Sequence, residues 1–366
     1  MNFPALISKN TRRVGMMMVI LTLLMVSCTN QTSTPAPTEP PFRTPTVDVT
    51  PPPVQSPTPR PTSTPTQPPL GSDGNPITIG FIITPDEVTA IDSAEEIAIL
   101  ISQDTEFAVE TLIYPDFQSL SSAVQDGSVD LFWLGPLEYI HLNWEGAAQV
   151  VLLTNHLGVY AYGVQFMANV LSGFTSYYDP DTNLTTGDPV AALQQFAGTR
   201  PCFLNPDSIP GYYVPRGLLE NTSTPILEPV FTYDYSATIR ALYIRGICDF
   251  GVSYALTGDP RTASDIIQDI PLAQEQVIVI WQSDGIIPNL NLSAGTHLPA
   301  HIRHRFQEAV LDLADLPEGL QLLSTALKYD VEALKTVEDI FYNPLRAAIV
   351  PLELDLAAIT NQPATP

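Results

Sequence analysis

Five histidines, His141, His156, His297, His301 and His304, are the side chains best suited to hold a metal or move a proton. His297 and His301, or His301 and His304, have ligand-like spacing before and within an expected helix. No Glu or Cys completes a zinc set around them, so an exposed helix face accounts for them better. Ser253 and Ser283 lack the glycine-flanked elbow that presents a nucleophile. Carboxylates are plentiful in so acidic a chain, which makes any chosen pair uninformative. No catalytic residue, metal or cofactor is expected, and the reading is a binder rather than an enzyme. The remaining reactive side chains are three cysteines, Cys28, Cys202 and Cys248.

Cys28 closes a secretory signal. Lys9, Arg12 and Arg13 form its positive start, and Val14 to Val26 is apolar apart from Gly15 and Thr22. The run Leu24-Met25-Val26-Ser27-Cys28 resembles a bacterial lipobox, with Met25 a loose match. The expectation is cleavage before Cys28 and lipidation of its sulfur, with an ordinary cleaved signal or an uncleaved anchor as alternatives. All three place the rest of the chain outside the cytoplasm, lipid-anchored on the membrane in the first case. There, an even remainder of two cysteines points to a disulfide, and two buried thiols are the alternative.

After Cys28 comes a tether, residues 29–74. Between 29 and 70 it holds 14 prolines and 11 threonines in 42 residues. It cannot bury enough apolar surface to offset its conformational entropy, and it reaches at most about 130 Å in extended form. The whole chain carries a net charge of −24, and residues 73–366 hold 10 basic against 37 acidic side chains, net −27. That excludes nucleic acid as a partner, because such binding depends on Lys and Arg neutralising phosphates.

Residues 75–361 alternate strand-like and helix-like segments. Strands are expected at 77–83, 107–114, 129–134, 150–153 and 160–167, with helices at 93–101 and 119–125. Ser93 and Glu96 are spaced as a capping box for the first of these helices. The rhythm repeats with strands at 199–204, 229–232, 247–253 and 277–281 and helices at 211–220 and 236–244. The segments 302–313, 318–326 and 331–335 read as helical. This pattern predicts an α/β fold in two units, each a mostly parallel sheet flanked by helices. Ligands of such sheets sit at the carboxyl ends of strands. Those ends carry Thr84, Gly135 to Tyr139, Asn205 to Gly211, and Tyr254.

Several segments in order resemble the phosphate/phosphite/phosphonate-binding subunits of ABC importers, which are type II periplasmic binding proteins. Tyr114-Pro115-Asp116-Phe117 with Leu120 to Asp130 is similar to the family's "DY…L…A…G.vD". Asp130-Leu131-Phe132-Trp133-Leu134-Gly135-Pro136-Leu137-Glu138-Tyr139 resembles "Dv…lGP.sY". Gly198-Thr199-Arg200 and Ser208-Ile209-Pro210-Gly211-Tyr212 resemble "GK…S.SGy". Leu242 to Gly251 is similar to "A…G..DaG", and Trp281 to Pro288 to "w.s…iP". The resemblance covers nearly all of 77–350. It implies a two-lobed fold, with lobe one at 75–163 and 286–361 and lobe two at 164–285, hinged around a cleft. It also places Cys202 and Cys248 on adjacent strands, close enough for a disulfide.

By the same resemblance, the ligand-binding residues are Thr84, Phe117, Gly135, Tyr139, Ser208, Gly211, Tyr212, Tyr235 and Ser236. Backbone N–H groups opening the Gly211 helix, with Ser208, would favour an anion, and Tyr139 would reach it from the other lobe. The alternative for Ser208 to Gly211 is an ordinary helix cap with proline in the first turn. The implied partners are a small oxyanion of the phosphate, phosphite or phosphonate type and an ABC permease, with the chain a monomer. Departures qualify the cargo. Ile209 and Pro210 stand where hydroxyls are usual, Phe117 replaces a tyrosine, and Leu290 replaces a carboxylate that would pair with an ammonium. A neutral or aromatic ligand held by Tyr139, Tyr212, Tyr235 and Trp281 is the alternative, as is a receptor that presents its ligand to a sensor.

Overall fold

A computed structural model describes residues 68–361; Cys28, its signal and most of the tether lie outside the described residues. The chain opens with β1 (Ile77–Ile82), α1 (Val88–Thr105), β2 (Val109–Tyr114), α2 (Phe117–Gln125), β3 (Leu131–Leu134), α3 (Pro136–Trp144) and β4 (Ala148–Asn155). Ile77, Ile79 and Phe81 of β1 are buried on one face, while Gly80 lets Leu120 and Val129 approach on the other. A strand covered on both sides must be apolar throughout, which is why β1 shows no clean alternation. β1 pairs in parallel with both β2 and β3.

The chain crosses to a second sheet through β5 (Ala161–Asn169), followed by the short pair β6 (Tyr178–Asp179) and β7 (Leu184–Thr185) and by α4 (Pro189–Gln194). β8 (Pro201–Phe203), a wide turn at Ile209–Tyr213 and α5 (Val214–Asn221) come next, then β9 (Val230–Phe231), α6 (Tyr235–Ile244) and β10 (Phe250–Ala255). α7 (Ser264–Asp269), α8 (Ala273–Gln276) and β11 (Val277–Gln282) complete this lobe. The chain returns through β12 (Ile287–Pro288) and β13 (Asn291–Gly295) to α9 (Ala300–Ala314), α10 (Pro317–Leu327), β14 (Ala333–Thr336), α11 (Asn343–Ile349) and α12 (Leu356–Thr360).

The first sheet has the order β14-β4-β13-β3-β1-β2 and the second β11-β5-β10-β8-β9, with β12 also paired to β5. Parallel pairs run through β2-β1-β3 and β10-β8-β9. The returning strands β13 and β14 and the crossing strand β5 pair antiparallel. The crossings are tied together by buried Asn289, whose Nδ2 donates to the carbonyls of Thr154 and Val159 at 3.3 and 2.7 Å.

One apolar core lies between the first sheet and α1, α9 and α10. Another runs from the opposite face, through Phe132 and Tyr139, past the C-terminal helices to Phe166, Phe196 and Phe250 of the second lobe. The C-terminal segment straps the lobes together. α11 lies so close on α5 that a Cβ on Gly217 would stand 1.7 Å from the carbonyl oxygen of Ala348. α12 lies on α3, where His141 Nδ1 and Thr360 Oγ1 are 2.8 Å apart.

Three sequence expectations are corrected. The 331–335 segment is not helical: β14 completes the edge of β4, with Lys335 opposite Leu153, so sheet pairing overrides local pattern. Ser93 is inside α1 and donates to the Thr89 carbonyl at 2.9 Å; the helix begins at Val88, so no capping box forms there. Cys248 precedes β10 rather than lying within it. It is nonetheless joined to Cys202, with Cα atoms 5.6 Å apart.

Candidate ligand-binding cleft

The carboxyl ends of the parallel strands lead into helix starts, where unpaired backbone N–H groups could hold an anion. In this chain several of those starts are filled from within, although α1 begins with no side-chain cap. Ser208 Oγ accepts from Gly211 N at 2.9 Å. Asp234 Oδ2 accepts from Ala237 N at 2.9 Å, and Asp116 Oδ1 from Ser119 N at 2.8 Å. At α3, the Glu138 carboxylate folds back over Gly135, so that a Cβ there would stand 2.5 Å from Glu138 Oε2. Gly135 is therefore needed for the carboxylate to reach its own helix start.

Glu138 is half-buried by surface, but the protein around it is dense. Desolvation pushes its carboxyl above the ordinary range, and only its own backbone N–H opposes that. No ion pair among the described residues involves it. Tyr162, at the start of β5, lies within electrostatic range of Tyr235, Tyr329 and Glu138; desolvation first, then these neighbours, push its phenol well up. Tyr235 opens α6 and meets Tyr254 edge-on at 4.9 Å. Desolvation also raises the Tyr235 phenol, which neighbours the Ser208 hydroxyl. Glu138 and Tyr329 come from the first lobe, Tyr235 and Tyr254 from the second, and Tyr162 from the strand that joins them. Of these, Tyr235 and Tyr254 are in ring contact, and Tyr329 packs its ring 4.4 Å from that of His156.

The remaining expected site residues are placed elsewhere or are already engaged. Tyr139 is fully buried and donates to Asp339 Oδ1 at 2.6 Å. Phe117 is buried with its ring 5.8 Å from that of His141. Tyr212 packs edge-on against Phe203 and Phe231. Ser236 donates to Asp265 at 3.1 Å, on the Arg240 side of α6. Thr84 is exposed, its N–H bound to Glu87 at 3.0 Å. Trp281 is buried. Of the histidines, His297 bonds Asp130 at 3.0 Å and His304 pairs with Glu308 at 3.3 Å. Among the described residues no group of three or more His, Cys, Asp or Glu is placed to hold a metal.

A family model described as "ABC transporter, phosphonate, periplasmic substrate-binding protein" matches residues 79–339, well over half of the chain. The chain belongs to this family. It is similar to the phosphate-import protein PhnD of Mycolicibacterium smegmatis, 24% identical over 227 residues. That stretch covers 59% of this chain and 65% of the relative, so the chain spans just under two thirds of that protein's length. In fold it is similar to XAC2383 from Xanthomonas citri, solved with chloride ion and with ATP. The TM-scores are 0.51 and 0.50 at 14% and 13% identity, covering 77% and 78% of this chain and 98% and 99% of the other. The fold is that of type II periplasmic binding proteins. Members of this phosphonate-binding family are substrate-binding transport components that work outside the cytoplasm with a small solute and an ABC permease.

Within the family pattern "lGP.sY", Glu138 stands at the small hydroxyl position. That mismatch was the one sequence signal that could have marked Glu138 in advance. Tyr162 carried no signal, because only the crossing of the chain between sheets places it at the start of β5.

Proposed function

We propose that this chain is the solute-capturing component of an ABC importer, held by a lipid on Cys28 at the end of the 29–74 tether. Lobe one (75–163 and 286–361) and lobe two (164–285) close on a small solute, and the closed form delivers it to the permease. The chain works as a monomer and carries out no catalysis. The observation that carries this reading is the family match over residues 79–339, on a chain whose two sheets are joined through the crossing strand β5.

The relatives' names would assign the chain a phosphate or phosphonate. The residues around the cleft favour a cargo that is not a bare oxyanion. The starts of α2 and α6 and the turn at Ser208 already have a side-chain acceptor from the chain, and the Glu138 carboxylate lies over the start of α3. A second anion about 4 Å from an ionised Glu138 would be repelled by on the order of 4 kcal/mol at an effective dielectric constant near 20. Lys335 sits 4.2 Å from the Tyr160 ring centre and 4.5 Å from that of Phe341. Desolvation lowers its pKa, and no ion pair links it to Glu138.

Melting of the full chain in detergent with phosphate, phosphite, alkyl phosphonates and uncharged or cationic solutes tests the reading. A true ligand at a hundredfold excess over its Kd adds about 2.7 kcal/mol of stability. Stabilisation by phosphate or methylphosphonate alone would restore the oxyanion reading. No stabilisation by any class would remove the solute-binding one.

A further inference from the structure

We propose that a small polar cavity flanking the second sheet is a second binding site, and that it takes a neutral polyol whose hydroxyls donate to the amide oxygens of Gln165 and Gln282. The cavity measures about 230 Å³. Its polar wall is formed by Gln165 of β5, Gln282 of β11, Tyr178 and Asn183 of the β6–β7 hairpin, and Asp259 and Arg261 beyond β10. All its lining comes from the second sheet and the loops around it, so it does not include the Gly135 or Ser208 turns expected to hold the cargo. Pockets for drug-sized ligands run from roughly 300 to 1,000 Å³, so the occupant here is smaller than those.

Gln165 and Gln282 face each other across β5 and β11, so their side chains lie side by side on one face of the sheet. They are only 4% and 6% exposed. The orientation of each amide is fixed by a partner that can only accept. Gln282 Nε2 donates to the Asn183 carbonyl at 3.0 Å. Gln165 Nε2 donates to Ser253 Oγ at 3.0 Å, and that hydroxyl has spent its own proton on the Tyr254 carbonyl at 2.9 Å. The two Oε1 atoms are left over. Neither receives a hydrogen bond among the described residues, and neither is among the atoms sealed from solvent without a partner. They are accessible acceptors on two buried side chains that line the cavity. The charges in the wall are closed on each other. Arg261 Nε and Nη2 grip the Asp259 carboxylate at 2.8–3.1 Å, and Nη1 donates to the Val277 carbonyl at 3.0 Å. Tyr178 Oη donates to Asn183 Oδ1 at 2.7 Å, which leaves its oxygen as a third acceptor. Neighbouring acceptors without a free charge match a molecule that brings several O–H donors and no charge of its own.

The test is isothermal titration of the full chain in detergent with glycerol, xylitol, myo-inositol, gluconate and glucosamine. The expected result is binding of at least one of the three neutral polyols, with gluconate and glucosamine about tenfold weaker or more. Gln165→Met and Gln282→Met each remove one acceptor at nearly constant side-chain length, and each should weaken that binding about fivefold or more. Because both amides are buried, the wild-type chain supplies a second readout that needs no variant. With the bound polyol present, backbone hydrogen exchange followed by mass spectrometry should slow at 178–185 and 255–261, which wall the cavity, and not at 205–212. Binding of none of the three polyols overturns the site and leaves the solute-binding reading standing. Slowing at 205–212 in place of the cavity loops, or affinity unchanged in both variants, places the polyol elsewhere and also overturns it. Gluconate or glucosamine bound as tightly as the polyols overturns the assignment of a neutral ligand.

Discussion

On α3, consecutive residues meet opposite conditions. Tyr139 points into the core and donates to Asp339, which Arg346 grips through two nitrogens; Arg346 in turn donates to Asn143 at 2.8 Å. Glu138 folds back over Gly135 and finds only its own helix start. The first arrangement fastens the C-terminal strap to the first lobe with its charges paired. The second leaves a carboxylate with no ion-pair partner among the described residues. Polar groups that hold a fold tend to be paired, as those of the strap are. Tyr139 was expected at the ligand and is engaged with Asp339, whereas Glu138, not singled out from sequence, folds back over Gly135.

The sharpest way to test the scaffold side is at Gly217, where α11 rests on α5. Gly217→Ala should destabilise the protein by about 2–3 kcal/mol, even though alanine gains roughly 1 kcal/mol of helix propensity. The new methyl meets the backbone carbonyl of Ala348, which cannot rotate away. Denaturant unfolding would check this; an unchanged midpoint would mean that the strap is loosely held.

Next in size is Tyr139→Phe, expected to cost about 1.5–3 kcal/mol, the range for a hydrogen bond to a charged group. Ligand affinity should stay within about twofold. A large loss of affinity with little loss of stability would return Tyr139 to the binding surface and erase the contrast with Glu138.

How much of this was legible in sequence follows from what each feature depends on. The strands β1 and β3 are short apolar runs bounded by turn residues and were placed from the sequence pattern, whereas β10 begins later than expected. β14 was not legible because its pairing with β4 depends on an edge that exists only once the sheet is built. The Ser208 turn was legible in two versions, anion nest or self-cap, and sequence could not choose between them. The bond from Gly211 N to Ser208 Oγ is the self-cap. Tyr162 stands at the start of β5 because the chain passes between sheets there, a fact of topology. Glu138 was legible in principle, since a carboxylate replaces a small hydroxyl in an otherwise matching motif.

The smallest expected effect, and the one that separates the two neighbours most cleanly, is in pH. Desolvation works against Asp339 as an anion, but hydrogen bonds from Arg346 and Tyr139 outweigh it and hold its carboxyl below the usual range. Its stabilising contribution is therefore present at neutral pH and is lost as pH falls through and below the ordinary carboxylate range. Glu138 has the opposite sign. Its carboxyl is raised by desolvation, so the folded state holds that proton more tightly than the unfolded chain does. Its penalty is present at neutral pH and is relieved as pH falls through the raised pKa toward the ordinary one. Glu138→Gln should accordingly stabilise the unliganded protein by roughly 0.5–1 kcal/mol at pH 7, as removal of an unfavourable functional group often does. That gain should fade as the pH falls to about 4, where glutamate is itself mostly protonated. Thermal melts of wild type and variant across this range would show it. A gain that persisted in acid would mean that Glu138 is not desolvated in the free protein, and that its carboxylate is no different in kind from the paired charges of the strap.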